Sequence, residues 1–176
     1  MLALPKWEER GRWDMSTELN VYVSALQDSL RKKKEVLQSL RDLTKEQQDV
    51  LQQETVDMDR FEELIEEKDQ KITTLNSLNA GFQSLFQKVE TGLKDKRYQY
   101  EKQIRQMQED IRQITDLSVQ IEGLEHQNRD TFQAYLTKER KEIQTGRASS
   151  RTAVSYYQNM PNQHHEWQTY FMDQKQ

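Results

Sequence analysis

The sequence predicts an all-α protein, built as an elongated antiparallel bundle of three long helices with a short amphipathic C-terminal segment. Hydrophobic residues make up 34% of the 176 residues and charged residues 32%, and mean hydropathy is −1.09. This is too little apolar material for a thick core, but enough for an apolar stripe along each helix. Only 5 Gly and 2 Pro interrupt the chain. Apolar residues recur with a helical period over most of its length, which argues against disorder.

The first long helix is expected to begin at Ser16 or Thr17, because both are good N-cap residues. Its apolar positions recur at spacings of three and four, at Leu19, Tyr22, Leu26, Leu30, Leu37, Leu40, Leu43 and Val50. Lys33 and Gln47 interrupt this stripe at heptad-equivalent positions. We interpret them as a register device or as side chains that snorkel to solvent. The helix is expected to end near Glu54.

Residues 1–14 show no helical or strand period and are interpreted as an N-terminal appendage. The stretch from Glu8 to Gly11 can be encoded by the purine-rich sequence typical of a ribosome-binding site. Our hypothesis is therefore that Met15 is the natural start. The alternative is an aromatic docking arm that carries Trp7 and Trp13.

Two further long helices are predicted, so that residues 15–146 form the bundle. Asp57 is a good N-cap for the second helix, and Val56 can pack on Phe61 as a hydrophobic staple. A turn is expected around Thr91-Gly92 and the charged residues 94–97, although one Gly costs only about 1 kcal/mol inside a helix and a continuous helix is the alternative. The third helix is expected to stop at Thr145-Gly146.

Residues 147–176 form a C-terminal segment rich in aromatic residues. Ala153, Tyr156, Tyr157 and Met160 are spaced as one face of a short helix that must end before Pro161. Trp167, Tyr170 and Phe171 repeat the first three spacings. An apolar helical face of this kind either binds a partner protein or covers the bundle of its own chain. The protein-binding candidates are Tyr156, Tyr157, Met160, Trp167, Tyr170 and Phe171.

No constellation for enzyme chemistry stands out, so neither a catalytic site nor a metal or cofactor site is expected. The chain has no Cys, and none of its 3 His residues has the Glu three positions before it that a di-iron bundle needs. The adjacent His164 and His165 point about 100 degrees apart on a helix. The paired carboxylates from Glu62 to Glu67, beside Lys68 and Lys71, are expected on a solvated face. A Gly-rich phosphate loop is missing.

Charge and hydropathy argue against two classes of partner, nucleic acids and membranes. The formal net charge is −4, and the basic run Arg31 to Lys34 is short, which is typical of a solvated helix face rather than a nucleic-acid interface. No apolar run approaches the roughly 20 residues needed to span a bilayer. We therefore expect a cytoplasmic protein with no membrane insertion.

The order of these features resembles the FlgN family of flagellar export chaperones. The resemblance rests on the long helix Leu19 to Leu51, the acidic hairpin with Asp57, Phe61, Leu64 and Glu67-Lys68, and the stripe Leu75-Leu78. The sequence Glu66-Glu67-Lys68 is the most characteristic feature of this resemblance. The aromatic C-terminal residues, Tyr156-Tyr157 and Tyr170 to Lys175, also resemble those of the family.

The resemblance implies a chaperone that keeps hook-associated proteins unpolymerised and delivers them to the flagellar type III export gate, with the client held by residues 147–176. It also implies that a tail tyrosine, either Tyr156 or Tyr157, docks at the gate. The implied state is a monomer or a weak homodimer. Two alternatives stay open. One is a FliT-like chaperone for the filament cap, and the other is a structural coiled-coil scaffold that forms stable oligomers.

Overall fold

The computed structural model describes the backbone of residues 6–139 and 151–160, and the side chains of residues 17–139 and 151–160. The helices are α1 (Lys6–Leu51), α2 (Met58–Leu93), a short 3-10 helix (Arg97–Tyr100) and α3 (Glu101–Glu139). Residues 151–160 form a further helix, which we call α4. No strand occurs in the described part of the chain, and the predicted all-α class is confirmed.

Helix α1 packs against both α2 and α3. Near one end of α1, Glu46 accepts hydrogen bonds from the guanidinium of Arg60 at the start of α2. Nearer the start of α1, Leu19 lies against Gly92 in the last turn of α2. The order of contacts is therefore opposite along α1 and α2.

Contacts between α1 and α3 run in the same order along both helices. Lys34 Nζ lies 3.0 Å from Asp110 Oδ1, and Gln48 Nε2 donates a hydrogen bond of 3.0 Å to Gln127 Oε1. Between these two pairs, α1 and α3 carry buried apolar residues such as Leu40 and Ile114. The apolar stripes of α1, α2 and α3 meet in one core cluster, to which α4 adds Ala153, Tyr156, Tyr157 and Met160.

The predicted start of the first helix is wrong, because α1 begins at Lys6 and runs through Ser16 and Thr17 without a break. The residues after Pro5 are mostly Glu, Arg, Lys and Trp, which a helix tolerates. Ser and Thr cost only a few tenths of a kcal/mol inside a helix. A good N-cap residue therefore does not force a helix to begin. The proposal that Met15 is the natural start stays a prediction.

The connection between α1 and α2 agrees more closely with what the sequence predicts. The backbone of α1 ends at Leu51, three residues before the expected Glu54. Asp57 is the N-cap of α2, as predicted, and its Oδ1 accepts a hydrogen bond of 3.1 Å from the backbone N–H of Arg60. Val56 is partly buried against the core, consistent with its expected role beside Phe61.

The predicted turn between the second and third helices is confirmed, and it follows Leu93. Gly92 itself is helical, so it does not break α2. A Cβ atom at Gly92 would lie 2.5 Å from Cδ1 of Leu19, which means that the glycine allows α1 and α2 to approach closely. The expected stop at Gly146 lies outside the described residues.

Candidate protein-binding site

Helix α4 covers an aromatic layer between α2 and α3. The rings of Phe61 in α2 and Phe132 in α3 are stacked, with centroids 5.7 Å apart and an interplanar angle of 5°. Tyr157 of α4 lies on this pair, with its ring centroid 5.3 Å from that of Phe132 and 6.3 Å from that of Phe61. Ala153, Tyr156 and Met160 are also buried. The predicted face of α4 is therefore the face that packs.

A buried carboxylate joins all four helices next to this layer. Oε1 of Glu125 in α3 forms an ion pair with Lys68 Nζ of α2. The same oxygen accepts hydrogen bonds from Tyr156 of α4 at 2.9 Å and from Thr44 of α1 at 3.4 Å. Glu125 and Lys68 are each only 1% exposed. We refer to Glu125, Lys68, Tyr156 and Gln47 as the polar cluster.

Lys68 has partners on three sides. Besides its ion pair with Glu125, it donates a hydrogen bond of 2.7 Å to Gln47 Oε1, and its ammonium lies 4.9 Å from the ring centroid of Tyr156. Burial lowers the pKa of Lys68, and the negative charge of Glu125 opposes this shift. An ammonium with an ion pair, a hydrogen bond and a ring contact can stay charged inside a helical core.

Lys68 and Glu125 are the site residues that sequence analysis missed. Lys68 was expected on a solvated face, and that prediction is wrong. A usable signal existed, because Lys68 lies at heptad spacing between Phe61 and Leu75, on the apolar stripe of α2. Glu125 stands likewise one heptad before Phe132. The neighbouring Glu66 and Glu67 are exposed, as expected.

The tyrosines of α4 are held neutral by their surroundings. Burial, with the nearby charge of Glu125 as a second cause, raises the pKa of Tyr156 well above its usual value. The pKa of Tyr157 is raised for the same reasons. A protonated Tyr156 can donate its hydrogen to Glu125, which a phenolate could not do.

Lys33 and Gln47, the two polar residues that interrupt the apolar stripe of α1, both lie inside the core. Gln47 is fully buried and belongs to the polar cluster, so it does not snorkel. Lys33 is 0% exposed, and its ammonium lies 3.5 Å from the ring centroid of Phe82. Burial lowers the pKa of Lys33 to about 7. The basic run is therefore not one solvated face, because Lys33 is buried and its neighbour Lys34 pairs with the buried Asp110.

A second apolar surface lies between α2 and α3, near the turn that joins them. It is a groove of about 220 Å³ with Leu26 and Leu30 of α1 as its floor. Phe86 and Val89 of α2 form one wall, and residues 104–111 of α3 contribute the other. We call it the open groove.

The structure brings half of the predicted binding residues together and leaves the other half undescribed. Tyr156, Tyr157 and Met160 contact the bundle of their own chain, which is the covering arrangement that the sequence left open. Trp167, Tyr170 and Phe171 lie outside the described residues. Binding of a partner protein by these six residues stays a prediction.

Two features are absent from the part of the chain that the structure describes, a cluster of metal ligands and a membrane-spanning helix. Within 17–139 and 151–160, no group of three or more His, Asp or Glu side chains is placed to hold a metal ion. None of the described helices combines the length and apolar character that crossing a membrane requires.

Comparison with known proteins adds no relative. No protein family model matches this sequence, and neither a curated protein nor a solved structure matches it significantly.

Proposed function

We propose that this protein is a FlgN-like flagellar export chaperone of the cytoplasm, without enzyme activity. It binds hook-associated proteins, keeps them unpolymerised and delivers them to the export gate. Its working form is an elongated antiparallel bundle of three long helices that carries a C-terminal client-binding segment. The observation that supports this most is the seating of the amphipathic, aromatic helix α4 on the surface between α2 and α3.

The apolar face of α4 supports a binding role for it. Helices in proteins gain most of their stability from packing of such a face, so residues 151–160 are stabilised by whatever surface covers Tyr156, Tyr157 and Met160. The bundle covers that face in the structure, and the apolar face of a client helix can cover it equally well. Exchange between the two surfaces lets a client be taken up and released.

The chemistry of the α4 face fits such an exchange. Tyr156 and Tyr157 together supply a large apolar area with few rotatable bonds, which is the side-chain type that dominates protein interfaces. Each also keeps a hydroxyl that tolerates water during transfer. The ten residues of α4 carry one basic side chain, Arg151, and no acidic one, so binding there depends on apolar contact rather than on charge.

Isothermal titration of the full chain with a hook-junction protein from the same bacterium tests the proposal. We expect a complex that Tyr157→Ala weakens at least tenfold, since loss of a central aromatic anchor commonly costs about 2 kcal/mol. Tyr98→Ala is the matched control, because Tyr98 is 77% exposed and lies far along the chain from α4. If Tyr157→Ala lowers the melting temperature but binds the client unchanged, α4 only covers its own bundle.

The purified full chain also distinguishes the proposed function from a structural scaffold and from a FliT-like chaperone. Light scattering should give a monomer or a weak dimer. A stable oligomer that binds no hook-associated protein indicates a structural scaffold. Selective binding of the filament-cap protein indicates a FliT-like chaperone.

A further inference from the structure

Four buried polar atoms around the polar cluster have no hydrogen-bond partner among the described residues. They are Oε2 of Glu125 and Oδ1 of Asn128 in α3, Nε2 of Gln47 in α1 and the hydroxyl of Tyr157 in α4. None of the four residues is more than 6% exposed. Buried polar atoms are paired in folded proteins, either with another protein group or with an ordered water molecule.

Three of the four atoms belong to side chains that are linked to one another. Lys68 Nζ pairs with Oε1 of Glu125 and donates a hydrogen bond of 2.7 Å to Oε1 of Gln47. Asn128 follows Glu125 by three positions in α3, so their side chains are neighbours on the helix surface. Asn128 Nδ2 donates a hydrogen bond of 2.9 Å to the carbonyl of Thr44, and the Thr44 hydroxyl donates to Oε1 of Glu125.

The fourth atom, the hydroxyl of Tyr157, approaches the same region from α4. The ring centroid of Tyr157 lies 5.2 Å from that of Tyr156, which donates to Glu125. It also lies 5.3 Å from the ring centroid of Phe132, one turn after Asn128 in α3. Burial raises the pKa of Tyr157, and the negative charge of Glu125 adds to the shift. The hydroxyl is therefore protonated and can donate a hydrogen bond.

The existing hydrogen bonds fix which atom of each amide is left without a partner. Oε1 of Gln47 accepts from a lysine, so the remaining atom is the donor Nε2. Nδ2 of Asn128 donates to a backbone carbonyl, so the remaining atom is the acceptor Oδ1. With the Tyr157 hydroxyl and the free oxygen of Glu125, the set contains two donors and two acceptors.

A water molecule matches this set, because it donates two hydrogen bonds and accepts two. Buried waters typically make about three such bonds to polar groups that the protein leaves unpaired. A cation would satisfy only the acceptors and would stand close to the ammonium of Lys68. An anion would face the carboxylate of Glu125. A neutral molecule that both donates and accepts is therefore the class of ligand that fits.

The structure assigns an internal water site to the region enclosed by α1, α3 and α4. The water donates to Glu125 Oε2 and Asn128 Oδ1 and accepts from Gln47 Nε2 and the Tyr157 hydroxyl. It is a second polar link between α4 and the bundle, beside the direct bond from Tyr156 to Glu125. With ten residues, α4 is the shortest helix around the site, so the water enters and leaves when α4 lifts.

A high-resolution crystal structure of the full chain tests the site directly. We expect density for one water within hydrogen-bond distance of at least three of the four atoms. In Asn128→Leu this water should be lost, because the substitution removes an acceptor and fills the space with an apolar side chain. A direct hydrogen bond from Tyr157 to Asn128 or Glu125, with no water between them, overturns the inference.

Oxygen-17 magnetic relaxation dispersion, measured over a range of temperatures, counts long-lived waters in solution. Asn128→Leu should hold one long-lived water fewer than the wild type. Asn76→Leu makes the same change at an exposed position of α2 and should hold the same number. Equal numbers in the wild type and a folded Asn128→Leu variant contradict the site.

Tyr157→Phe decides the question if Asn128→Leu does not fold. It keeps the ring that packs on Phe132 and removes one of the four hydrogen bonds. The residence time of the water should fall about fivefold or more, as expected for one lost hydrogen bond. Tyr98→Phe, at an exposed site, should leave the residence time unchanged. A residence time that Tyr157→Phe does not change rules out the Tyr157 hydroxyl as a partner and overturns the four-partner site.

Tyr156→Phe tests the route by which the water leaves. This variant keeps all four partners of the water but removes the direct bond between α4 and Glu125. The residence time of the water should shorten by the same factor as the exchange time of the amides of residues 151–160. If those amides exchange faster while the residence time is unchanged, the water does not leave past α4, and that part of the inference is wrong.

Discussion

Tyr156 donates a hydrogen bond of 2.9 Å from its hydroxyl to Oε1 of Glu125, the same oxygen that pairs with Lys68. This bond ties α4 to α3 at a buried point, since Glu125 is only 1% exposed. Because the environment is apolar, the interaction is stronger than it would be at the surface, and its loss is more costly. The position of α4 therefore depends on one hydroxyl group as well as on apolar packing.

Tyr156→Phe should loosen α4 without unfolding the other helices. The substitution keeps the ring and removes the hydroxyl, and a hydrogen bond to a charged group is worth about 1.5–3 kcal/mol. Hydrogen exchange measured by mass spectrometry should show amides of residues 151–160 exchanging at least tenfold faster. Tyr98→Phe, at an exposed site, is the control. Unchanged protection of α4 would mean that packing alone holds it.

Replacing one member of the Lys68–Glu125 pair should lower the free energy of unfolding more than replacing both members does. Lys68→Met leaves a buried carboxylate without its cation, which typically destabilises a protein by about 3–5 kcal/mol. The double variant Lys68→Met/Glu125→Met replaces both charges by apolar side chains and should recover most of this loss. Urea denaturation of the wild type, both single variants and the double variant gives the coupling free energy. Additive effects of the two substitutions would show that the pair is not coupled.

The stability of the fold should rise with pH above neutrality because of Lys33. Burial lowers its pKa to about 7 from a usual 10.5, so below pH 7 both the folded and the unfolded chain carry this proton. Between these two values the unfolded chain binds more protons than the folded chain, and the free energy of unfolding therefore increases with pH. The raised pKa values of Tyr156 and Tyr157 act in the opposite direction above their usual value of 10.0.

Lys33→Met isolates this contribution. The variant should be more stable than the wild type at pH 7, and its denaturation midpoint should rise less between about pH 7 and pH 9. Lys32→Met, at the exposed neighbouring position, should keep the slope of the wild type. If Lys33→Met and the wild type show the same slope, Lys33 does not titrate in this range.

Two glycines of α2 should respond differently to alanine. A methyl group added at Gly81 would meet no atom of another residue's side chain within 4 Å, so Gly81→Ala should stabilise the helix by about 0.5–1 kcal/mol through its better helix propensity. At Gly92 the new methyl group would displace Leu19, which is buried, and the packing loss should cancel or exceed that gain. Thermal melts of both variants measure the difference. Equal stabilisation would show that Leu19 moves aside at no cost.

Much of the local structure was predictable, because its causes lie within a few residues of one another. Asp57 caps α2 with its own side chain, and the stripe through Phe61 and Leu75 predicts a helix wherever it falls in the protein. The face of α4 follows from four positions on a single helix. Helix ends were less predictable, as the start of α1 at Lys6 shows, since a cap residue favours a beginning but does not enforce one.

The sequence by itself therefore determined that this protein is helical, where α2 begins, and which side of residues 151–160 is apolar. Tertiary structure alone decided that Lys68 meets Glu125 across a separation of 57 residues, and that Tyr156 donates to the same carboxylate. Periodicity assigns a residue to a face, but it does not set the axial register between two helices. That register comes from simultaneous packing of all the stripes, and it brings together as a buried pair a lysine and a glutamate that heptad spacing places only on the faces of their own helices.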